Sequence, residues 1–381
     1  MSLFGRLRNG RTHVRVVVDV GAYSIKAVMF NTDGTASPRM IKKIVIKLPV
    51  SGESIRVTRI LHELLFNTAK ELGKVPDAIT VGVGPPFAPY VLRPLIARLE
   101  GKRRSFEGMG IREIYQNCVS SGSDTIGEFP RPLGVYANGW RVAPAELNAH
   151  ALASVKELVF PTLFVRLLPE AREALVHTRN MLGGIPIEYV PLALAYQEAV
   201  RKVLHLEDFL LIDVGERHTM LMRVREGAIV ESVSAPHGLW NFAKAIAKAN
   251  ASSVEEAVEV RNHYAEEGVD KAPKGIQNII EKEVAVWRGA FLSALDRFYS
   301  IGPLSENVIL CGGGAKLSEI RSLLLEGGWM RGFSHIDRPL LRVMEGRSVF
   351  EGDSLGGHLQ GPEEFGLGSL MIYSLWYAPL F

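Results

Sequence analysis

Val16-Val17-Val18-Asp19-Val20-Gly21, near the start of the chain, returns in the middle as Leu210-Leu211-Ile212-Asp213-Val214-Gly215. Each is an apolar run with the composition of a buried strand, and each ends in Asp-x-Gly. Each leads into a second apolar segment, residues 25–30 in one case and 220–224 in the other. A third signal, Val308-Ile309-Leu310-Cys311-Gly312-Gly313-Gly314-Ala315, lies further downstream. The repetition predicts an internally duplicated α/β fold. Its two halves each offer a carboxylate on a strand-turn-strand hairpin, and together they can clamp one phosphate-bearing ligand.

Around the first hairpin the pattern is β-β-β-α-β. The hairpin turns at Asp33-Gly34, a third strand covers 42–48, residues 55–72 carry helical spacing and stop at Gly73, and 78–83 form another strand. From Pro85 to about residue 179 the texture changes. Prolines and glycines become frequent, Lys102-Arg103-Arg104 forms a basic loop, residues 111–118 are helix-like, and a Ser/Gly/Asp loop comes next. Short strands are expected at 133–136 and 140–142 around Asn138-Gly139, another at 162–168, and a helix from Pro169 to Met181. This block reads as an inserted α/β subdomain. Residues 187–190 and a helix over 192–204 return the chain to the first domain.

The second half repeats the hairpin with a turn at Glu226-Gly227 and a third strand at 228–234. Helices are expected at 239–248, 253–266 with Ser253 as cap, 275–299 and 316–325, with a Gly-rich loop at 351–362. Residues 365–377 are apolar almost all round and lack the basic face of a membrane-seeking tail, so they read as a buried closing helix. The expected division is a first domain of 12–85, 180–205 and 365–381, an insertion of 86–179, and a second domain of 206–364 with a helical part at about 239–300.

Composition narrows the class. The 381 residues allow two domains of ordinary size. A net charge of +3 is too small to argue for nucleic acid. Two cysteines far apart suit a reducing cytoplasm, and no apolar run reaches membrane-spanning length. The first eleven residues form a short basic-apolar tip, read as a solvated terminus.

The chemistry resides in three constellations. In Asp19-Val20-Gly21-Ala22-Tyr23-Ser24-Ile25-Lys26, the glycine lets backbone approach phosphate, Asp19 can hold hydrated Mg²⁺, and Lys26 can neutralise phosphate charge. In Asp213-Val214-Gly215-Glu216-Arg217-His218-Thr219 the same carboxylate returns, and Thr219 either donates its hydroxyl to phosphate or merely starts a strand. Arg217 and His218 are phosphate helpers or exposed turn residues. Gly312-Gly313-Gly314, between a strand and the helix that begins after Lys316, leaves room for a flat ring against bare backbone.

With these motifs in this order, the chain resembles the actin, Hsp70 and sugar-kinase superfamily of ATPases, which implies a duplicated actin-like fold. Asp19-x-Gly21 with Lys26 resembles the first phosphate motif, Asp213-x-Gly215 with Thr219 the second, and the triple glycine the adenosine motif. The insertion at about 86–180, the stretch Ile185-Pro186-Ile187-Glu188-Tyr189-Val190-Pro191 and Gly366-Leu367-Gly368-Ser369-Leu370 are similar to the PilM/FtsA branch. The short second loop and the end of the sequence at Phe381 favour PilM-like adaptors over FtsA-like filament proteins.

The resemblance implies ATP and Mg²⁺ as cofactors, with Asp19 and Asp213 on the metal and Asp213 orienting the water for at most slow hydrolysis. Gly21, Ala22, Tyr23, Ser24, Lys26, Gly215, Glu216, Thr219, Gly238, Arg261, Gly312, Gly313, Gly314 and Lys316 would contact nucleotide. It also implies a cytoplasmic protein at the inner face of the membrane, with no transmembrane segment and no nucleic-acid partner. Such a protein would bind the tail of a PilN-like membrane protein between the first domain and the insertion, alongside other pilus assembly proteins and self-association. The chain departs from the branch at Ala257-Val258-Glu259-Val260-Arg261, where Arg261 stands for a usual Lys and Val258 for a usual Glu. His237-Gly238 also replaces a usual Gly-Gly. An FtsA-like division protein, a GspL-like secretion scaffold, a small-molecule kinase and a degenerate pseudo-ATPase are the competing expectations.

Overall fold

The computed structural model describes residues 13–32, 38–48, 76–85, 88, 90–99, 106, 109–126, 128–143, 146–147, 149–166, 185–332, 338–350 and 356–376. The expected turn at Asp33-Gly34, the helices at 55–72 and 169–181, the basic loop at 102–104 and the terminal tip lie outside them.

Two five-stranded sheets share one plan. In the first, β1 (His13–Val20), β2 (Ser24–Thr32), β3 (Arg39–Lys47), β4 (Ala78–Val83) and β10 (Ile187–Pro191) lie in the order β10-β4-β1-β2-β3. In the second, β11 (Phe209–Val214), β12 (Thr219–Arg225), β13 (Ala228–Ala235), β14 (Asn307–Cys311) and β15 (Leu340–Val343) lie in the order β13-β12-β11-β14-β15. In both, the first three strands are antiparallel and the last two join in parallel beside the first. The repeated sequence motif therefore occupies the same strand of each sheet. β1 and β11 are central and flanked on both sides, which is why they read as continuous apolar runs.

The insertion builds a third sheet, in the order β5-β9-β7-β8, from β5 (Tyr90–Arg98), β7 (Val135–Ala137), β8 (Trp140–Val142) and β9 (Glu157–Val165), with β6 (Glu128–Pro132) also on β9. Asn138-Gly139 closes the β7–β8 hairpin with φ of 48° and 88°. The helix here, α1 (Ile111–Ile126), runs through the stretch expected to be a loop. Ser120 and Ser121 bond back to the carbonyls of Gln116 and Asn117, each at 2.9 Å, so their hydroxyls are satisfied inside the helix. A short helix, α2 (Ala149–Ala153), precedes β9. Strand β5 is not evident from composition, because Pro94 and the charges on its exposed side mask the alternation.

α3 (Leu192–Leu204) continues directly from β10. α4 (Leu239–Asn250), α5 (Val254–Glu267) and α6 (Lys274–Leu295) cover one face of the second sheet, with Trp287, Phe291 and Phe242 fully buried between them. Ser253 caps α5 through the Glu256 amide, and Glu256 returns the bond to the Ser253 amide at 2.9 Å. α7 (Ser318–Glu326) comes after β14 and a tight turn at Gly313–Lys316.

The chain closes with α8 (Phe365–Trp376), which packs against α3, β1 and β4 of the first domain. Residues 365–373 are all buried, so the apolar tail is a core helix. Gly82 on β4 admits it, since a Cβ there would lie 2.4 Å from the Leu370 side chain. Among the described residues, no helix is long and apolar enough to cross a membrane. Leu370→Ala, at a fully buried position, is expected to cost about 2–5 kcal/mol, measured as a lowered urea midpoint.

Candidate functional site

A cleft of about 530 Å³ separates the two sheets and is floored by the ends of β1 and β11. That volume suits a nucleotide-sized ligand. Asp19 and Asp213 occupy equivalent positions, one residue before the end of each strand. Each hairpin turn is held by one backbone bond, Gly21 N–H to the Ser24 carbonyl at 3.1 Å and Gly215 N–H to the His218 carbonyl at 2.9 Å. A Cβ at Gly21 would lie 2.9 Å from the Ser24 carbonyl oxygen, so the tightness of the turn requires glycine there.

Strand parity decides which neighbouring residues reach the cleft. Cross-strand partners share a face. Lys26 pairs with Asp19 and therefore lines the cleft, and Met220 pairs with Asp213 and does the same. Thr219 pairs with Val214 and points the other way. It is fully buried, donates to the His237 carbonyl at 2.8 Å and accepts from the Trp287 indole at 2.8 Å. Its hydroxyl is spent inside the domain, as the strand reading of that residue implied.

Gly238 also stays out of the cleft lining and instead lets α4 seat on the second hairpin. A Cβ there would lie 2.5 Å from the Gly215 carbonyl oxygen. The amides of Leu239 and Trp240 donate to the carbonyls of Gly215 and Glu216 at 3.0 and 2.7 Å. Gly314 packs against Val214, where a Cβ would approach to 2.2 Å. Gly21, Ala22, Tyr23, Ser24, Gly215, Glu216, Arg261, Gly312, Gly313 and Lys316 all line the cleft. Glu216 and Arg261 form an almost fully buried ion pair at 2.8 Å, while Val258 belongs to the core of the second domain. Arg217 lies over the Trp240 ring at 3.9 Å.

The two carboxylates face a shared environment. The Tyr196 hydroxyl on α3 donates to Asp213 Oδ2 at 2.9 Å, and its ring stacks on Phe365 at the start of α8, with centroids 5.3 Å apart. A Cβ at Gly366 would lie 3.0 Å from Asp19 Oδ2 and 3.1 Å from the Tyr196 hydroxyl. Gly312, with φ +82°, clears the other side, where a Cβ would meet Asp213 Oδ1 at 2.2 Å. Tyr196 lies in none of the sequence motifs, and Gly366 belongs to the closing-helix stretch and not to a phosphate motif. Their proximity to the carboxylates depends on how α3 and α8 pack.

Burial pushes the Asp213 carboxyl up to about 6, reinforced by the nearby charge of Asp19 and opposed by the Tyr196 hydrogen bond. Burial raises Asp19 as well, opposed by Lys26. Two carboxylates held reluctant to ionise are oxygen donors to which a divalent cation would restore charge balance. Among the described residues, no three His, Cys, Asp or Glu side chains gather to hold a metal. Two carboxylates on one cleft fit a cation that takes few protein ligands and keeps most of its water shell, as Mg²⁺ does.

No protein-family model and no curated protein matches the chain. Among solved structures, it is similar to a chain of the PilM-PilN type IV pilus biogenesis complex at 18% identity and a TM-score of 0.64, covering 94% of this chain and 97% of that one. It is also similar to the ethanolamine utilization protein EutJ from Carboxydothermus hydrogenoformans (14% identity, TM-score 0.47, coverage 95% and 90%). MreB5 of Spiroplasma citri bound to ADP is similar at 11% identity, TM-score 0.49 and coverage of 95% and 96%. The chain thus shares its fold with that chain of the pilus biogenesis complex over nearly its whole length.

The raised carboxyl sets a pH dependence. Asp213 is bound by a proton more readily folded than unfolded, so its destabilising effect grows as pH rises from about 4 to about 6 and is complete above that. In metal-free buffer, Asp213→Asn is expected to stabilise the protein by up to about 3 kcal/mol at pH 7.5 and to change little at pH 4, read from urea unfolding at both values.

Proposed function

We propose that this chain is an ATP-binding, actin-like scaffold of type IV pilus assembly, working at the cytoplasmic face of the inner membrane through partners. One observation supports this reading above the others. Asp19 and Asp213 come from equivalent strand ends of two matching sheets and meet across one nucleotide-sized cleft. Asp19 and Asp213 would hold Mg²⁺ through its water, and Lys26 and Lys316 would meet phosphate charge. Gly312 and Gly313 would carry the adenosine, and the Glu216–Arg261 pair borders the space left for it. The bound cation would neutralise phosphate charge, and Asp213 would orient an attacking water. Turnover would be at most slow.

The scaffold reading draws on a second cavity, of about 470 Å³, between β5 of the insertion and β13 of the second domain. The expected groove had the first domain as its other wall; this recess has the second. Arg93, Arg297 and Glu231 stand among its lining residues. Pro85 and Tyr90 line both this cavity and the central cleft. The Tyr90 hydroxyl donates to the Val83 carbonyl at 2.8 Å and accepts from the Ala193 amide at 3.3 Å, at the start of the helix that carries Tyr196. Cleft and recess are therefore joined through one partly buried side chain and one helix, a physical route by which nucleotide could gate a partner. The solved relative is named for a PilM-PilN complex, and a PilN-like cytoplasmic tail is the partner proposed for the recess.

Two measurements test the reading. Calorimetric titration with Mg-ATP is expected to show one site per chain, weakened at least ~10-fold, about 1.4 kcal/mol, by either Asp19→Ala or Asp213→Ala; a wild-type protein that binds no nucleotide overturns the switch. A peptide of the PilN-like tail is expected to bind the wild-type chain and to lose affinity in Arg297→Glu, which leaves ATP binding intact. Equal peptide binding by both proteins removes the recess from the interface.

A further inference from the structure

Lys26 and Lys316 enter the cleft from opposite domains, and both end on one residue. The Lys26 ammonium donates to the Glu363 carbonyl, and the Lys316 ammonium meets Glu363 Oε1 at 2.7 Å. Glu363 itself lines the cleft with Asp19 and Asp213, and its Oε2 is buried with no hydrogen-bond partner. The residue sits in a short turn, Pro362–Glu364, that joins the second domain to α8. Gly361 starts the turn with φ +83°, and a Cβ there would fall 2.5 Å from Glu363 Oε2, so glycine makes room for the carboxylate. The turn hangs on the adenosine loop through the Gly312 amide, bonded to the Pro362 carbonyl at 3.0 Å. Its far end is tied to the first domain by Lys43, which pairs with the Glu364 carboxylate and donates to the His358 carbonyl at 2.9 Å.

We infer that the Glu363 carboxylate is an internal stand-in for a nucleotide phosphate at Lys316, while the carbonyl of the same residue holds Lys26, and that an arriving phosphate displaces the carboxylate. This rests on the nucleotide reading above and assigns its regulation. Two ammonium groups facing one cleft repel each other unless an anion lies between them, and the acidic residue that both of them touch is on the turn entering α8. A phosphate chain carries more charge and more acceptor oxygens than one carboxylate and competes for the same donors. While Glu363 holds them, the binding-competent fraction of the protein is reduced and apparent affinity falls by that fraction. Displacement frees the turn, which runs within two residues of Glu363 into the Phe365 that stacks on Tyr196. The loading state of the cleft is thereby passed to α8 and to the Lys43–Glu364 tie on β3.

The test compares Mg-ATP affinity of wild-type protein, Glu363→Gln and Glu363→Ala, with thermal unfolding as a check on folding. Both variants are expected to bind roughly 10-fold more tightly, because the competing carboxylate is gone. A measurement on the unaltered chain runs beside it: backbone amide exchange over residues 361–366 is expected to accelerate when Mg-ATP is added. Affinity that is unchanged or weakened in the variants, or exchange that stays equal or slows, overturns the inference while leaving the nucleotide site standing. Absence of ATP binding in all three proteins removes both together. Binding by the variants alone supports the stand-in in its strongest form.

Discussion

Asp19 and Asp213 are acidic groups placed where water is scarce, and each would be more stable somewhere else. They stay because the strands that carry them are the central strands of their sheets, fixed by neighbours on both sides. The surrounding atoms adapt to them: Tyr196 donates to Asp213, Gly312 and Gly366 leave the space a side chain would fill, and Lys26 lies opposite Asp19. A buried carboxylate without a full partner is costly, and two of them in one cleft mark it as a candidate functional site.

The duplication explains how that arrangement arises from a single chain. Both sheets have the same strand order and the same mixture of antiparallel and parallel neighbours, so the same strand end recurs in each. The halves differ on the second strand of the hairpin. In the first, the cross-strand partner of the aspartate is Lys26; in the second, the equivalent position carries Met220. Cationic charge from the second domain instead comes from Lys316, in the turn after the triple glycine. Lys26 and Lys316 thus reach the cleft from opposite domains, and both touch the crossover into α8. The closing helix belongs to the first domain by packing but is reached from the second, which makes its first turn a natural reporter of the cleft's contents.

The two Asp-x-Gly hairpins and the triple glycine are legible in the sequence, because they rest on local chemistry. A central strand must be apolar on both faces, a tight hairpin must have glycine at its turn, and a helix such as α5 must have its first amides capped, as Ser253 and Glu256 do. Thr219 shows where that reading stops. Its spacing from Asp213 suggests a phosphate contact, yet pleat alternation turns it to the opposite face, where Trp287 and His237 take up its hydroxyl. Serines within α1 likewise suggest a loop, whereas in the fold their hydroxyls bond back along the helix.

Residues near one another in sequence announce their chemistry through spacing, so the Asp-x-Gly hairpins, the glycine triplet and the buried closing helix could all be read from composition and period. Tyr196, Glu363 and Gly366 could not, since each acts on groups contributed by distant segments. Their roles depend on α3 and α8 packing side by side beneath the cleft and on a turn crossing from one domain to the other. Contacts of that kind are settled by which apolar faces bury each other, and side-chain packing across domains leaves no periodic trace in the chain that makes it.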